Sequence, residues 1–223
     1  MLMDWNSNLA YLVGLITTDG SLSKDGRHLD FTSKDKELIE TFARLLNLAN
    51  KIGFKRSTYN PRGIYFRIQF SNVKLYRFLL GIGLMPNKTK IVGELKIPDE
   101  FFADFLRGHL DGDGSTYSYW DKRFKSSFML YTIFMSASKP HLEWIAKMIK
   151  KLYMLEGRIT FHNRSYFHLR YAKTNSVILL KKIYYKENLF CLKRKRFKIM
   201  QALGIISDSS RDAGTGRQAR LRF

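Results

Sequence analysis

One stretch of this chain occurs twice. Leu12-Val13-Gly14-Leu15-Ile16-Thr17-Thr18-Asp19-Gly20-Ser21 is echoed by Leu106-Arg107-Gly108-His109-Leu110-Asp111-Gly112-Asp113-Gly114-Ser115, so that Asp113 stands 94 positions after Asp19. In a chain of 223 residues that offset is nearly half the length, which calls for two copies of one structural unit in tandem. The expected division is a first repeat over 1–92, a linker over 93–99 that contains Pro98, and a second repeat over 100–206. A basic, flexible tail is expected over 207–223, where Ser, Gly, Arg and Asp displace apolar residues.

The segments after the two copies also run in parallel. After the first come a polar stretch, a strand-like Leu29 to Thr32, and a helical pattern from Asp35 to Leu48 with Leu38, Phe42, Leu45 and Leu46 at helix spacing. After the second come an apolar Phe128 to Phe134 and a helical pattern from Pro140 to Tyr153. Alternating strands Ile64 to Phe70 and Tyr166 to Tyr171 come next, with hairpin partners at Ile52 to Tyr59 and Arg158 to His162. A helix closes each half, near Val73 to Gly81 and Val177 to Leu203. Each repeat therefore reads αββαββα, an α+β unit.

Written on a helix, the duplicated stretch has a consequence. Gly14 and Thr18, like Gly108 and Gly112, lie four apart on one face, which is thereby stripped of bulk and lets two such helices approach closely. An acid follows each stripped face, Asp19 or Asp113, and then Gly20 or Gly114, suited to end the helix in a left-handed turn. Pairing the helices sets the two acids side by side. That is costly, because each carboxylate meets the negative end of a helix dipole and the other's charge. A divalent cation relieves both, and Mg²⁺ is held by one or two carboxylates together with water and phosphate oxygens.

Composition points to the source of that phosphate. Lys and Arg number 39 against 19 Asp and Glu, a formal net charge of +20 on a chain with 45% hydrophobic residues. A foldable body this basic meets a polyanion. No apolar run approaches the roughly 20 residues that cross a bilayer, and the start lacks a positively charged leader, so no membrane or secretory role is expected. Cys191 is the single cysteine, which excludes an intrachain disulfide or a cysteine zinc site and fits an intracellular setting.

LVGLITTDG and LRGHLDGDG resemble the paired signature of the LAGLIDADG homing endonucleases, in their single-chain form with two repeats. The resemblance implies a monomer with internal pseudo-twofold symmetry, its two four-stranded antiparallel sheets forming a saddle on double-stranded DNA. Both strands would be cut with Mg²⁺ or Mn²⁺ to leave 3′ overhangs. It further implies that Asp19 and Asp113 are the catalytic, metal-binding acids, that Gly14 and Gly108 lie in the helix contact, and that Lys34, Lys88 and Lys193 flank the scissile phosphates. Thr17 stands where an acid is often found, with Asp111 kept in the other copy, and His109 is polar at an apolar position of the motif.

The polar faces of the alternating strands carry residue types that contact base edges and phosphates. In the first half these are Lys55, Ser57, Tyr59, Arg67 and Gln69, and in the second Arg158, Thr160, His162, Tyr166, His168 and Arg170. A strand such as 63–71 spans about 30 Å, or about nine base pairs, so two halves imply a loosely palindromic site of about 18 base pairs. From another class, a non-catalytic DNA-binding regulator or an RNA maturase could share the fold. Both acids being kept favours the enzyme, and a start on Met1 with no nucleophile argues against an embedded intein domain.

Overall fold

The computed structural model describes residues 3–56, 63–124, 127–163 and 165–219, with side chains as far as Asp208. The first repeat runs α1 (Ser7–Asp19), β1 (Gly20–Leu22), β2 (His28–Ser33), α2 (Lys36–Leu45), β3 (Gly53–Arg56), β4 (Ile64–Ser71) and α3 (Val73–Gly81). The second runs α4 (Phe102–Asp111), β5 (Ser115–Trp120), β6 (Phe128–Ser136), α5 (Lys139–Tyr153), β7 (Arg158–His162), β8 (Tyr166–Tyr171), α6 (Lys173–Ile183) and α7 (Lys193–Ala219). Each repeat holds one four-stranded antiparallel sheet, ordered β1-β2-β4-β3 and β5-β6-β8-β7. The αββαββα order expected of each repeat is what folds, with α7 added after the second.

Helix α1 starts where Asn6 Oδ1 accepts the Leu9 amide at 2.9 Å, satisfying a donor the helix itself cannot. From Leu9 to Thr17 every residue is buried, as befits a helix apolar on all sides. It lies against α4 at the centre of the molecule. A Cβ on Gly14 would sit 2.7 Å from the His109 amide nitrogen, and one on Gly108 would fall onto the Tyr11 carbonyl. Across the same contact, Gly112 leaves room for the Thr18 hydroxyl. The small-residue face therefore does what its spacing implies.

Gly20 and Gly114 are used differently from the expectation. Gly20 is extended, at φ −86° and ψ 154°, and Gly114 is not left-handed either. Space demands glycine at both: a Cβ on Gly20 would lie 2.7 Å from Ile16 Cα, and one on Gly114 2.5 Å from Leu110 Cα. Extended geometry at Gly20 lets the chain turn straight from α1 into β1, while Gly112 to Gly114 lead from α4 into β5; both strands stand where a polar stretch comes after each motif.

Two other segments depart from the sequence expectation. Val177 to Leu203 is not one helix, because the backbone leaves α6 at Tyr184 and buried side chains of α4 take over the freed groups up to Leu192. Helix α7 then continues through the stretch read as a tail, as far as Ala219. The linker is well held: Leu95 and Ile97 are buried, Lys96 N donates to Ile82 O at 2.9 Å, and Gly93 O meets His141 Nδ1 at 2.8 Å. Among the described residues no helix is long and apolar enough to cross a membrane.

Candidate active site and nucleic-acid interface

The paired C-termini of α1 and α4 bring Asp19 and Asp113 together. A Cβ on Gly112, the residue before Asp113, would lie 3.1 Å from Asp19 Oδ2. Among the described residues neither carboxylate has a hydrogen-bond or ion-pair partner. Asp19 is half-buried, and loss of water together with the nearby Asp113 charge pushes its carboxyl up to about 7. Asp113 opens onto solvent, yet the protein packed behind it withdraws enough water to raise it as well, with Lys88 and Lys195 pulling the other way.

Two lysines sit beneath these acids, one per helix end. Lys88, in a single turn of 3₁₀ helix over Lys88–Lys90, is 6% exposed and donates to Gly20 O at 2.7 Å. Lys195, in the first turn of α7, lies 2.7 Å from Leu110 O, 2.8 Å from Asp111 O and 2.7 Å from Gly114 O. Each ammonium thus caps carbonyls at the negative end of a helix dipole. Part of the electrostatic cost expected of two carboxylates there is already offset by protein. Burial pushes the Lys88 ammonium down to about 8, against the pull of Asp113 and Asp19, and lowers Lys195 for the same reason.

Of the three lysines singled out from the sequence, only Lys88 joins this cluster. Lys193 is exposed two residues before Lys195, and positions two apart on a helix diverge by about 200°, so only one can face α4. Lys34 is exposed over the Tyr65 ring, 5.3 Å from its centroid. Lys195 lay among adjacent basic residues, and no local pattern separates it from them.

The second repeat holds its lysine with a buried polar latch that the first repeat lacks. Arg107, 1% exposed, pairs with Asp104 at 2.7 Å and donates to Phe190 O at 2.8 Å and Ile183 O at 3.2 Å. Asp111 accepts from Tyr11 Oη at 2.9 Å and from the Leu192 amide at 2.7 Å. Burial raises the Asp111 carboxyl to about 6, while those donors and the nearby cations hold it down. Thr17, at the matching position of α1, instead returns its hydroxyl to Val13 O at 2.7 Å. His109 is buried against His141, ring centroids 5.4 Å apart, among Phe105, Phe134 and Trp144.

Each sheet has one face on the helices and one open face that carries the predicted contact residues. Lys55, Arg67 and Gln69 share a hollow on the first sheet with Ser21, His28 and Asp30. Arg67 is ion-paired with Asp30 there, so it is oriented rather than free. Ser57 and Tyr59 lie outside the described residues. On the second sheet, Arg158 pairs with Arg170, Thr160 with His168 and His162 with Tyr166 across the β7–β8 ladder, which puts all six on one face. The sequence reading missed the β5 and β6 members of that face, above all Tyr117, Tyr119 and Tyr131. The side chains of β5 alternate, but all are polar or aromatic and none is buried, so no apolar face marks the strand in the sequence.

Helices paired through glycine, two sheets of one topology and two acids at the junction define the architecture of the LAGLIDADG homing endonucleases, and this chain has that fold. Its first repeat, residues 6–83, matches the family model of a LAGLIDADG-like domain. The homing endonuclease I-WcaI bound to its DNA recognition sequence is similar at a TM-score of 0.62 and 17% identity, covering 87% of this chain and 88% of that one. I-GzeII in complex with its DNA target gives 0.59 and 14%, covering 92% of each chain. Full-length DUF199/WhiA from Thermatoga maritima gives 0.59 and 13%, covering 99% of this chain and 69% of that one. No curated protein sequence matches the chain.

Proposed function

We propose that the chain is a divalent-metal-dependent endonuclease that cuts both strands of duplex DNA at a long, loosely palindromic site and leaves 3′ overhangs. The observation that carries this is the pair of carboxylates, Asp19 and Asp113, unpartnered among the described residues and set beside Lys88 and Lys195 at the paired ends of α1 and α4. The DNA-bound homing endonucleases among the similar structures support duplex DNA as the partner. The same architecture is also that of DUF199/WhiA, so the fold alone does not decide for cutting, and the site must.

The donors fit a hard cation. Among the described residues no set of three or more acidic, histidine or cysteine groups could hold a metal alone. Two carboxylates that share a cation with water and phosphate oxygens are the arrangement suited to Mg²⁺, with Mn²⁺ as an alternative. Asp19 and Asp113 would hold such a cation, which when bound would supply a water of lowered pKa and charge stabilisation for a leaving 3′ oxygen. Lys88 and Lys195 keep positive charge beside the phosphates, and the strand faces hold the duplex in register.

The test replaces each acid by its amide. Asp19→Asn and Asp113→Asn keep the side-chain shape and remove one negative charge. Mg²⁺-dependent cleavage of a selected duplex is expected to fall at least a thousandfold, with affinity in a gel shift unchanged or tighter. Variants that bind and still cut at the parental rate would return both aspartates to the role of helix ends, and a parent that binds without cutting would make the chain a regulator or an RNA maturase on this fold.

A further inference from the structure

The two open faces are built from different chemistry, although the strand pairings of the two sheets share one register. Ser21 pairs with Asp30, and its counterpart Ser115 pairs with Ile133. Asp30 in turn faces Gln69 and Thr32 faces Arg67, whereas Ile133 faces Arg170 and Met135 faces His168. Asp30 and Thr32 of the first sheet are thus replaced by Ile133 and Met135 in the second. At the next position along, His28 corresponds to Tyr131, which is stacked on Tyr117 with centroids 4.9 Å apart. The first sheet offers hydrogen-bonding groups beside the acids, and the second offers an apolar stripe.

Exposed Tyr117 and Tyr119, with half-buried Tyr131 and Met135 beside them over the buried Ile133, share a face with Arg170 on β8 and Arg158 on the edge strand β7, which calls for an occupant both anionic and locally apolar. Duplex DNA has one apolar group in its major groove, the C5-methyl of thymine. Unpaired bases fit less well. A platform for them leaves ring faces free, but here Tyr117, Tyr119 and Tyr131 stack on one another and the Arg170 guanidinium lies 5.4 Å over the Tyr131 ring.

Resting on the proposal that the chain binds duplex DNA, we propose that the second sheet recognises a thymine-rich half-site through thymine methyl groups, with Met135 and the tyrosine stack as the reading surface over the buried Ile133. The first sheet reads its half-site by hydrogen bonds from Gln69, Lys55 and the Asp30-oriented Arg67.

The experiment takes the full chain, selects bound duplexes from a random library, and resynthesises the best one with deoxyuridine for thymidine in one half at a time. That swap removes only the methyl groups. One half is expected to respond, by about fourfold for each methyl buried, and the other to stay within about twofold. Met135→Gln should weaken binding of the thymidine duplex and shrink the response of that same half. A duplex bound equally well with deoxyuridine in both halves, or tighter binding of the single strand than of the duplex, would overturn the inference while leaving DNA binding in place. No duplex selected at all would instead remove the DNA-binding proposal beneath it.

Discussion

His141 and His109 show how residue-scale electrostatics couple the core to pH. Burial holds the His141 imidazole down to about 4, helped by the Lys88 charge, and His109 is lowered by burial, by His141 and by Lys195 and Lys88. Unfolded, each takes a proton near pH 6.5. A depressed folded pKa means the unfolded chain binds more protons, so this stability is present above about pH 6.5 and is lost as pH falls through about 4. His141→Gln keeps a donor for Gly93 O and removes the titration. Equilibrium unfolding from pH 7 to 4 should then lose up to about 1.4 kcal/mol per pH unit of its slope; an unchanged slope would show that another group governs acid unfolding. Asp19 and Lys88 are displaced in a different sense. Each is held near the pH at which it changes charge, where a cation or a phosphate can decide its state.

At the scale of elements, α1 and α4 meet through glycine while the ends of α6 and α7 are held by charge. Arg107 spans the break between those helices by its bonds to Ile183 O and Phe190 O, and Asp111 fixes Leu192, three residues before Lys195. The latch therefore places the lysine that caps α4. Arg107→Met removes the cation paired with Asp104 in a site where both partners are 2% exposed or less, leaving that carboxylate only the Tyr185 hydroxyl at 3.0 Å. A buried pair broken on one side costs about 3–5 kcal/mol, readable in urea unfolding, and a loss below about 1 kcal/mol would mean that the loop is held by its apolar contacts instead. The latch also explains why a helical pattern over Val177 to Leu203 misleads: helix spacing continues in the sequence, but Asp111 and Arg107 offer the backbone better partners than the next turn would.

For the whole molecule, the excess of cations sets the terms of binding. If the two open faces clamp phosphates, log affinity for duplex DNA falls linearly with log salt, at about −0.9 for each phosphate neutralised. Six to ten contacts would lower affinity about 10³- to 10⁵-fold between 50 and 200 mM salt. A flat salt dependence in fluorescence anisotropy would exclude a phosphate clamp and leave the charge as surface solvation.

The duplication, the glycines of the helix contact, the two acids and the alternating strands were all legible in the sequence, because each is a short pattern whose periodicity dictates which side chains share a face. Lys88 was legible too, though only through family resemblance. What the sequence left open depends on contacts between distant segments. Lys195 rather than Lys193 meets the helix end because the phase of α7 is set by where the Asp111 and Arg107 latch releases the chain. Gly20 and Gly114 are required by crowding against Ile16 and Leu110, not by a left-handed turn, and crowding exists only once helix and strand are folded together. The apolar character of the second open face likewise emerged only from strand register, since the pairing of β5 with β6 decides that Tyr117, Tyr131, Ile133 and Met135 stand on one surface.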